Sequence, residues 1–252
     1  MKFSKEKFQS LSPERQIRKY LQFIEMIEKN WQNQILRTDL LREFSSCLAY
    51  SDLAEINQLN VSEENLRGFI RTTMPLLQKY GSEKRDHDFI IHTNDGRREQ
   101  NKKPIYLILN ELRSAFNIGS IFRTAECFGV SEIIVIGYTA GAENSKVIKT
   151  SMNTASLTLS RHFSTLAKAR EYLKEKGVTI YAMETVENAS DFGDTKLQFP
   201  AAFILGNEAL GISAEDLELA DDILEIPLLG WKNSLNVGVT AAICCYEANK
   251  QL

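Results

Sequence analysis

The first 80 residues carry apolar positions at the spacing of amphipathic helices. In the clearest stretch, apolar side chains recur every three or four positions: Ile17, Tyr20, Leu21, Ile24 and Ile27. Ser12 precedes Pro13, a pair typical of an N-cap residue followed by proline at the first helical position. Pro75 is expected to interrupt a helix or to open the next one. We predict that residues 1–80 form a small, mainly helical N-terminal domain, or an extension that wraps the core.

Residues 81–103 break this pattern, because they are mostly polar and contain a turn signal at Asp95-Gly96. We predict a linker here, in which the apolar run Phe89–Ile91 is a candidate short strand. The positive charge of the segment is concentrated in four residues: Arg97, Arg98, Lys102 and Lys103. Two interpretations stay open, a solvated linker and a strip that contacts phosphates at the domain junction.

From Pro104 to Leu252 short apolar runs alternate with helical patterns. The runs that predict strands are Ile105–Leu109, Glu132–Ile136, Val178–Met183, Ala201–Leu205 and Ile223–Ile226. The segments that predict helices are Ser120–Phe128, Phe163–Lys176, Ala214–Ala220 and Ser234–Ala248. This alternation predicts an α/β domain over residues 104–252, with a mostly parallel sheet covered on both faces. Ligands in such domains bind beyond the carboxyl ends of the strands.

Composition and short motifs exclude several classes of protein. No apolar run approaches the roughly 20 residues needed to span a bilayer, and the N-terminus has no apolar signal-peptide core. We therefore expect a cytoplasmic protein. The four cysteines form no C-x-x-C pair, and the three histidines lack metal-ligand spacing, so we expect no metal and buried thiols. A catalytic base at His92 or His162 is a minor alternative.

The net charge of −3 is unevenly distributed along the chain. Residues 1–103 carry 18 Lys and Arg against 15 Asp and Glu, whereas residues 104–252 carry 12 against 18. A strongly basic domain is typical of nucleic-acid-binding proteins, and neither part of the chain has one. Any binding of RNA must therefore rest on local patches of positive charge.

The first of three polar loops after predicted strands reads N-I-G-S-I-F-R-T-A-E and begins at Asn117. We expect Asn117 to cap a helix and Gly119 to allow the close approach of a backbone or a ligand. Arg123 then lies on that helix and presents a guanidinium fork that suits a phosphate or a carboxylate. Helical arginines also form surface ion pairs, so this loop alone does not decide the chemistry.

The other two loops follow the last two predicted strands. L-G-N-E-A-L-G-I-S starts at Leu205, where Gly206 permits close backbone approach and Glu208 places a carboxylate at the rim of the sheet. I-P-L-L-G-W-K-N-S-L-N-V starts at Ile226, the last residue of a predicted strand, and its Ser234 and Asn236 are expected at a helix N-terminus. Helix capping alone also accounts for each loop taken singly.

Together the three loops resemble the signature motifs of the SpoU/TrmH branch of the SPOUT methyltransferases, in the same order over about residues 104–250. The resemblance implies transfer of a methyl group from S-adenosylmethionine to a ribose 2′-hydroxyl of RNA, either tRNA or rRNA. It also implies a homodimer and a sheet closed by a C-terminal trefoil knot that holds the cofactor in a bent conformation. Knots are so rare that no apolar pattern would predict one.

The resemblance also assigns roles to individual residues. Cofactor contacts would come from Met183, Leu205, Gly206, Asn207, Ile226, Leu228 and Leu235. Catalysis and RNA positioning would involve Asn117, Arg123, Glu208, Ser234 and Asn236. The chain departs from the family at Glu111, where relatives often have Asn, and this departure concerns the shape of the first loop.

For the chemistry, we expect Arg123 to hold an RNA phosphate rather than to act as the base, because a guanidinium stays protonated in proteins. The hydroxyl proton would leave through that phosphate, through water or, less readily, through Glu208. Asn117 would orient Arg123 or the ribose. Whether Arg123 serves the cofactor of its own subunit or that of the partner stays open.

Two other functions are compatible with parts of this pattern. One is an RNA-binding protein that retains the methyltransferase fold without catalysis. The other is a nucleotide-binding α/β enzyme such as a dehydrogenase, which the absence of a G-x-G-x-x-G motif after a strand disfavours. The helical N-terminal region is expected to help select the RNA, but its nearly neutral charge does not identify which one.

Overall fold

The computed structural model describes residues 4–51, 56, 61, 65–80 and 101–252. The chain divides into two compact units, Met1–Asp95 and Gly96–Leu252. The predicted linker and its candidate strand lie mostly outside the described residues. The division into residues 1–80, 81–103 and 104–252 therefore stays a prediction.

The first unit is helical where it is described. Its helices are α1 (Lys5–Gln9), α2 (Pro13–Lys29), α3 (Gln34–Ala49) and α4 (Leu66–Tyr80). They enclose a core of their own that combines Ile and Leu side chains with aromatic rings: Phe8, Tyr20, Phe23, Trp31, Phe44 and Phe69. The hydroxyl of Tyr20 donates to the carbonyl of Cys47 at 3.1 Å, so the one polar atom of this buried side chain is satisfied.

Two predictions for proline in this unit had different outcomes. Ser12 is the N-cap of α2 and Pro13 is its first residue, as predicted. The expected break at Pro75 is wrong, because Pro75 lies inside α4. This helix buries Phe69 and Leu76 on either side of the proline, so packing outweighs the hydrogen bond that proline cannot donate.

The second unit alternates strands and helices. Its strands are β1 (Lys103–Asn110), β2 (Val130–Ile136), β3 (Ser160–Phe163), β4 (Thr179–Met183), β5 (Ser190–Asp191), β6 (Ala201–Leu205) and β7 (Asp222–Glu225). Its helices are α5 (Ala115–Cys127), α6 (Ser145–Thr150), a 3₁₀ turn (Thr154–Leu157), α7 (Leu166–Glu175), α8 (Ala214–Leu217) and α9 (Val237–Lys250).

The seven strands form one sheet in the order β3-β2-β1-β6-β4-β7-β5, and every strand pairs with its neighbours in parallel. Successive side chains of a strand point to opposite faces, and both faces of this sheet are buried. Leu107 of β1 packs in one core with Phe122 of α5 and Ala241 of α9, whereas its neighbour Ile108 packs in another with Leu173 of α7. This explains why the strands read as continuous apolar runs.

Several predicted boundaries are corrected by local geometry. The helix predicted from Ser120 begins at Ala115, because Ser114 caps it and its hydroxyl oxygen accepts from the amide of Asn117. The helix predicted from Ser234 begins at Val237, with Asn236 as its cap. Phe163, predicted to open a helix, ends the strand β3 instead.

The predicted fold class, a mostly parallel α/β sheet preceded by a helical region, is confirmed by this arrangement. The trefoil knot stays a prediction. Across residues 4–51, 65–80 and 101–252, no helix is both long and apolar enough to cross a membrane.

Candidate active site

A cavity of about 640 Å³ lies at the carboxyl ends of β4, β6 and β7, where a parallel sheet is expected to bind its ligand. All the residues predicted for the site except Arg123 line this cavity: Asn117, Met183, Leu205, Gly206, Asn207, Glu208, Ile226, Leu228, Ser234, Leu235 and Asn236. The fold therefore brings the second and third loops together and adds Asn117 from the first.

A chain of hydrogen bonds between side chains connects the three loops. The side-chain amide of Asn117 donates to Oε1 of Glu208 at 3.0 Å. The oxygen of Asn117 accepts from the side-chain amide of Asn236 at 3.1 Å. The oxygen of Asn236 in turn accepts from the amide of Gly238 at 2.9 Å and so caps α9. Asn117 lies inside the first turn of α5, so the prediction that it caps this helix is wrong.

Glu208 is held as an anion. Its carboxylate accepts from the backbone amides of Arg113 and Ser114, both at 3.0 Å, as well as from Asn117. Partial burial opposes ionisation, but these hydrogen bonds outweigh it and lower the pKa of Glu208 below its usual range. Glu208 is therefore a weak proton acceptor, and its main effect is to fix the loop that precedes α5.

The side chain of Asn207 is used within the protein. Its amide nitrogen donates to the carbonyl of Glu111 at 2.7 Å and to the hydroxyl of Tyr138 at 2.9 Å. Its oxygen accepts from the amides of Ala209 and Leu210 at 2.9 and 3.1 Å. Asn207 therefore shapes the wall of the cavity. Both the nitrogen and the oxygen of its side-chain amide form hydrogen bonds within the protein.

Glu111 has a φ of 56°, in the left-handed region that Asn adopts more readily than other non-glycine residues. This gives a physical reason for the Asn that the resemblance leads us to expect at this position. The loop keeps its conformation here because Asn207 holds the carbonyl of Glu111. The loop that carries Glu111 is thus tied by one side-chain hydrogen bond to the residues that follow β6.

Gly206 is required by the approach of its own loop. A Cβ atom at this position would lie 2.7 Å from the carbonyl carbon of Gly211 and 2.7 Å from Cγ1 of Ile212. Gly211 itself has a φ of 69°, which favours glycine. The predicted close approach at Gly206 is thus made by the backbone of Gly211, and it closes the turn that forms one wall of the cavity.

The cavity also contains residues that sequence reasoning missed. Glu184 follows β4 directly, and its Oε2 accepts from the amide of Ile212 at 2.9 Å. The cavity lining further includes Thr185, Val186, Glu225 and Asn233. The signal that could have found Glu184 is its position after Met183, at the carboxyl end of a central strand.

The third loop carries exposed groups, and among its residues Ser234 and Leu235 line the cavity. Ser234 lies two residues before the N-cap of α9, not at the helix terminus as predicted. Leu235 remains 39% exposed and Trp231 92% exposed. Exposed apolar side chains such as these are typical of surfaces that bind a ligand or a partner.

Arg123 is the predicted site residue that lies elsewhere. It is exposed on α5 and is absent from the cavity lining, and its Nη1 donates to Sδ of Met152 at 3.0 Å. Gly119, one turn earlier, has no room for a Cβ atom because the side chain of Thr150 packs against it. The partner that approaches Gly119 is therefore α6, not a ligand.

Cysteine and metal chemistry have no geometric support in the part of the chain that the structure describes. No group of three His, Cys, Asp or Glu residues there could hold a metal ion. Cys244 and Cys245 are buried in α9, and burial raises the pKa of Cys245 to about 12. Both side chains are therefore packed as neutral thiols, whereas Cys127 is exposed, so the expectation of buried thiols is wrong for that residue.

The sequence model of the SpoU rRNA Methylase family matches residues 104–246 of this chain. The chain belongs to this family. Among its relatives, the tRNA (guanosine(18)-2′-O)-methyltransferase of Thermus thermophilus is 35% identical over 145 residues, which are 58% of this chain and 74% of that protein. The 23S rRNA (guanosine-2′-O-)-methyltransferase of Vibrio parahaemolyticus is 31% identical over 152 residues, or 60% of this chain and 61% of that protein.

A crystal structure of an AdoMet-bound rRNA methyltransferase from Sinorhizobium meliloti has the same fold. It matches with a TM-score of 0.55 at 24% identity, over 63% of this chain and 60% of that one. The SpoU family member described here thus spans about three fifths of the length of the Vibrio and Sinorhizobium proteins. The family and the methyltransferase class predicted from the sequence are confirmed.

Proposed function

We propose that this SpoU family protein transfers a methyl group from S-adenosylmethionine to a ribose 2′-hydroxyl of tRNA or rRNA. The observation that carries the proposal is the hydrogen-bonded chain from Glu208 through Asn117 to Asn236, which joins the three family motifs at one cavity. Relatives that act on tRNA and on rRNA are both similar to this chain, and the proposal covers both substrates.

The cavity fits the proposed cofactor in size and in chemistry. A volume of about 640 Å³ is typical of a pocket for a small molecule. Leu205, Ile226 and Leu228 offer apolar surface that suits an adenine ring. Glu184 and Glu225 place carboxylates in the same wall, where a positively charged sulfonium would be attracted. When bound, the cofactor supplies an electrophilic methyl group.

Arg123 would hold the RNA phosphate next to the target ribose. A guanidinium matches a phosphate in geometry and stays protonated, so it lowers the energy of a developing negative charge on the 2′-oxygen. The carboxylate of Glu208 already accepts hydrogen bonds from Arg113, Ser114 and Asn117, so we propose that the proton leaves to solvent through a water molecule beside the phosphate. Asn117 and Ser234 both line the cavity, and we propose that they face the ribose.

The position of Arg123 favours a homodimer in which this residue serves the partner subunit. It does not line the cavity of its own chain. The helices α5 and α9 also expose large apolar side chains, since Phe116 is 52%, Val239 48% and Tyr246 60% exposed. A second copy of the chain is the proposed cover for these groups, and the helical N-terminal unit is proposed to select the RNA.

The activity is tested with RNA from a strain that lacks the protein. Mapping of ribose methylation identifies the substrate, and single-turnover methylation of that RNA is then measured for Arg123→Ala and Arg123→Lys. We expect the methylation rate of Arg123→Ala to be lower than that of wild type by on the order of 100-fold. The rate of Arg123→Lys should lie between the two, because Lys keeps the charge without the fork. Near wild-type rates for both variants would refute the role of Arg123.

Mixed subunits test the dimer. Arg123→Ala keeps an intact cavity, whereas Leu228→Arg keeps Arg123 but adds a positive charge to the cavity. If Arg123 acts across the dimer, mixing the two inactive variants restores about a quarter of wild-type activity, because half of the dimers are mixed and each has one complete site. Calorimetry with S-adenosylmethionine provides the remaining control, since a pure RNA-binding protein has no need to bind the cofactor.

A further inference from the structure

The end of α6 is docked against the face of α5 that carries Arg123. The hydroxyl oxygen of Thr150 lies 2.9 Å from the carbonyl oxygen of Ala115 in α5 and 2.8 Å from that of Lys146 in its own helix, and the side chain fills the space above Gly119. Gly119 and Arg123 are four positions apart in one helix, so they lie on the same face. The residues that follow Thr150 are thereby brought alongside Arg123.

The chain leaves α6 through a turn that normally uses glycine. The amide of Met152 donates to the carbonyl of Lys149 at 3.2 Å, and the amide of Asn153 donates to that of Ile148 at 3.0 Å. This pair of bonds defines a Schellman motif, in which the first residue beyond the cap is left-handed. Met152 has a φ of 53° and Asn153 a φ of 68°, so two successive non-glycine residues adopt this conformation.

The side chain of Met152 gives a reason for this unfavourable choice. Its Sδ accepts from Nη1 of Arg123 at 3.0 Å, a contact that glycine could not make. Backbone conformations that cost free energy persist where the surrounding structure uses them, often at functional sites. The left-handed turn therefore places the sulfur atom of Met152 against the guanidinium of Arg123.

We propose that Met152 is a positioning residue for Arg123, which orients the guanidinium without neutralising its charge. The proposal rests on the proposed function of Arg123 as the phosphate-binding group. A thioether is a neutral and weak acceptor, whereas a carboxylate would form a strong bond with the guanidinium and compete with the RNA phosphate. Among the described residues, no carboxylate forms an ion pair with Arg123.

Three variants separate this role from simple packing. Met152→Leu keeps the volume and the left-handed turn but removes the acceptor. Asn153→Gly is the matched control, since it changes the neighbouring left-handed residue, while the hydrogen bond of the Arg123 side chain is made to Met152. Met152→Leu is also made together with Arg123→Lys. Thermal unfolding establishes that each variant is folded before its rate is compared.

We expect Met152→Leu to lower the single-turnover methylation rate about 3- to 10-fold at saturating RNA, because misplacing a catalytic group slows the chemical step. Asn153→Gly should keep the wild-type rate. In the Arg123→Lys background, Met152→Leu should have less than about a twofold further effect, as expected for residues that act through one another. A purely structural Met152 would instead lower the rate by the same factor in both backgrounds, and that result overturns the proposal.

A second readout needs neither RNA nor cofactor. The NMR order parameter of the Arg123 Nε–H bond should be high in the wild-type protein and below about 0.6 in Met152→Leu. An unchanged order parameter, or an unchanged rate, overturns the assignment of Met152. A wild-type protein that methylates no RNA would refute the proposed function instead, while the order parameters would still decide whether Met152 orients Arg123.

Discussion

The side-chain amide of Asn236 donates a hydrogen bond of 3.1 Å to the side-chain oxygen of Asn117, although the two residues are 119 positions apart. Asn117 passes the connection on to Glu208 through its own amide. The orientation of Asn117 is therefore determined, because only one way of placing its oxygen and nitrogen satisfies both neighbours. The three loops depend on one another through this residue.

Replacing Asn117 with Asp should make the protein more stable, relative to wild type, as the pH falls. The new carboxylate would lie about 3 Å from Oε1 of Glu208, and like charges at that distance raise the folded pKa of the pair above its unfolded value. The two carboxylates repel each other when both are ionised, above the raised pKa, and the repulsion is relieved as the pH falls and one of them is protonated. The unfolding temperature of Asn117→Asp, relative to wild type, should therefore rise from about pH 7 to about pH 5.

Asn117→Ala is the matched control for that experiment, because it removes the same amide and adds no charge. Its deficit in unfolding temperature should stay constant over the same pH range. The wild-type contribution of Glu208 is also constant there, since its pKa lies below the usual value. A parallel pH dependence for the Asp and Ala variants would contradict the predicted repulsion.

Glu208→Gln should destabilise the protein only while the wild-type carboxylate is ionised. A depressed pKa contributes stability above the unfolded value of about 4.3, and this stability is lost as the pH falls through the folded pKa. Because Glu208 is partly exposed, we expect a loss of only about 1 kcal/mol at neutral pH. Urea unfolding at neutral pH and at a pH below the folded pKa measures this loss of stability. An equal loss at the two pH values would show that the charge of Glu208 is irrelevant.

Much of the fold and of the cavity could be predicted because the determinants are local. The strand Ala201–Leu205 is apolar at every position, since both faces of the sheet are covered, and the structure has it with the predicted bounds. The residues after each strand were the right ones to examine, because parallel strands end at the same edge. Motif order then identified the family, which no pattern of burial could have done.

What was missed depends on contacts between distant segments. The helix Ser145–Thr150 has six residues, too few to show a helical period, and so Met152 carried no signal. The role of Asn207 depends on Glu111 and Tyr138, from two other loops. Asn117 looked like a cap because Asn is common there, but Ser114 lies three residues earlier and makes that bond.

Glu111→Asn should stabilise the protein, because Asn adopts the left-handed conformation of this position more easily than Glu does. We expect a gain of about 0.5–1 kcal/mol in the free energy of unfolding, measured with urea. Glu111→Ala is the control, since Ala has no such advantage at positive φ. Equal stability of the Asn and Ala variants would show that φ at this position does not matter.

Gly206→Ala should damage both the cavity and the stability of the protein. The added Cβ atom would lie 2.7 Å from the carbonyl carbon of Gly211, and backbone must move to admit it. We expect a loss of about 1–3 kcal/mol and weaker binding of S-adenosylmethionine by calorimetry. Gly230→Ala is the control for stability, since a Cβ atom there meets nothing within 4 Å. Equal unfolding free energies for the two variants would contradict the predicted collision.

The site is held together by asparagine amides, so its geometry depends on the chemical integrity of those amides. Asparagine is among the thermolabile residues, because its amide can hydrolyse to a carboxylate. At Asn117 that reaction would replace a donor with a negative charge beside Glu208, and at Asn207 it would remove the donor that holds Glu111 and Tyr138. Hydrolysis of either amide would therefore disrupt the loops by a covalent change without altering the apolar contacts of the sheet beneath them.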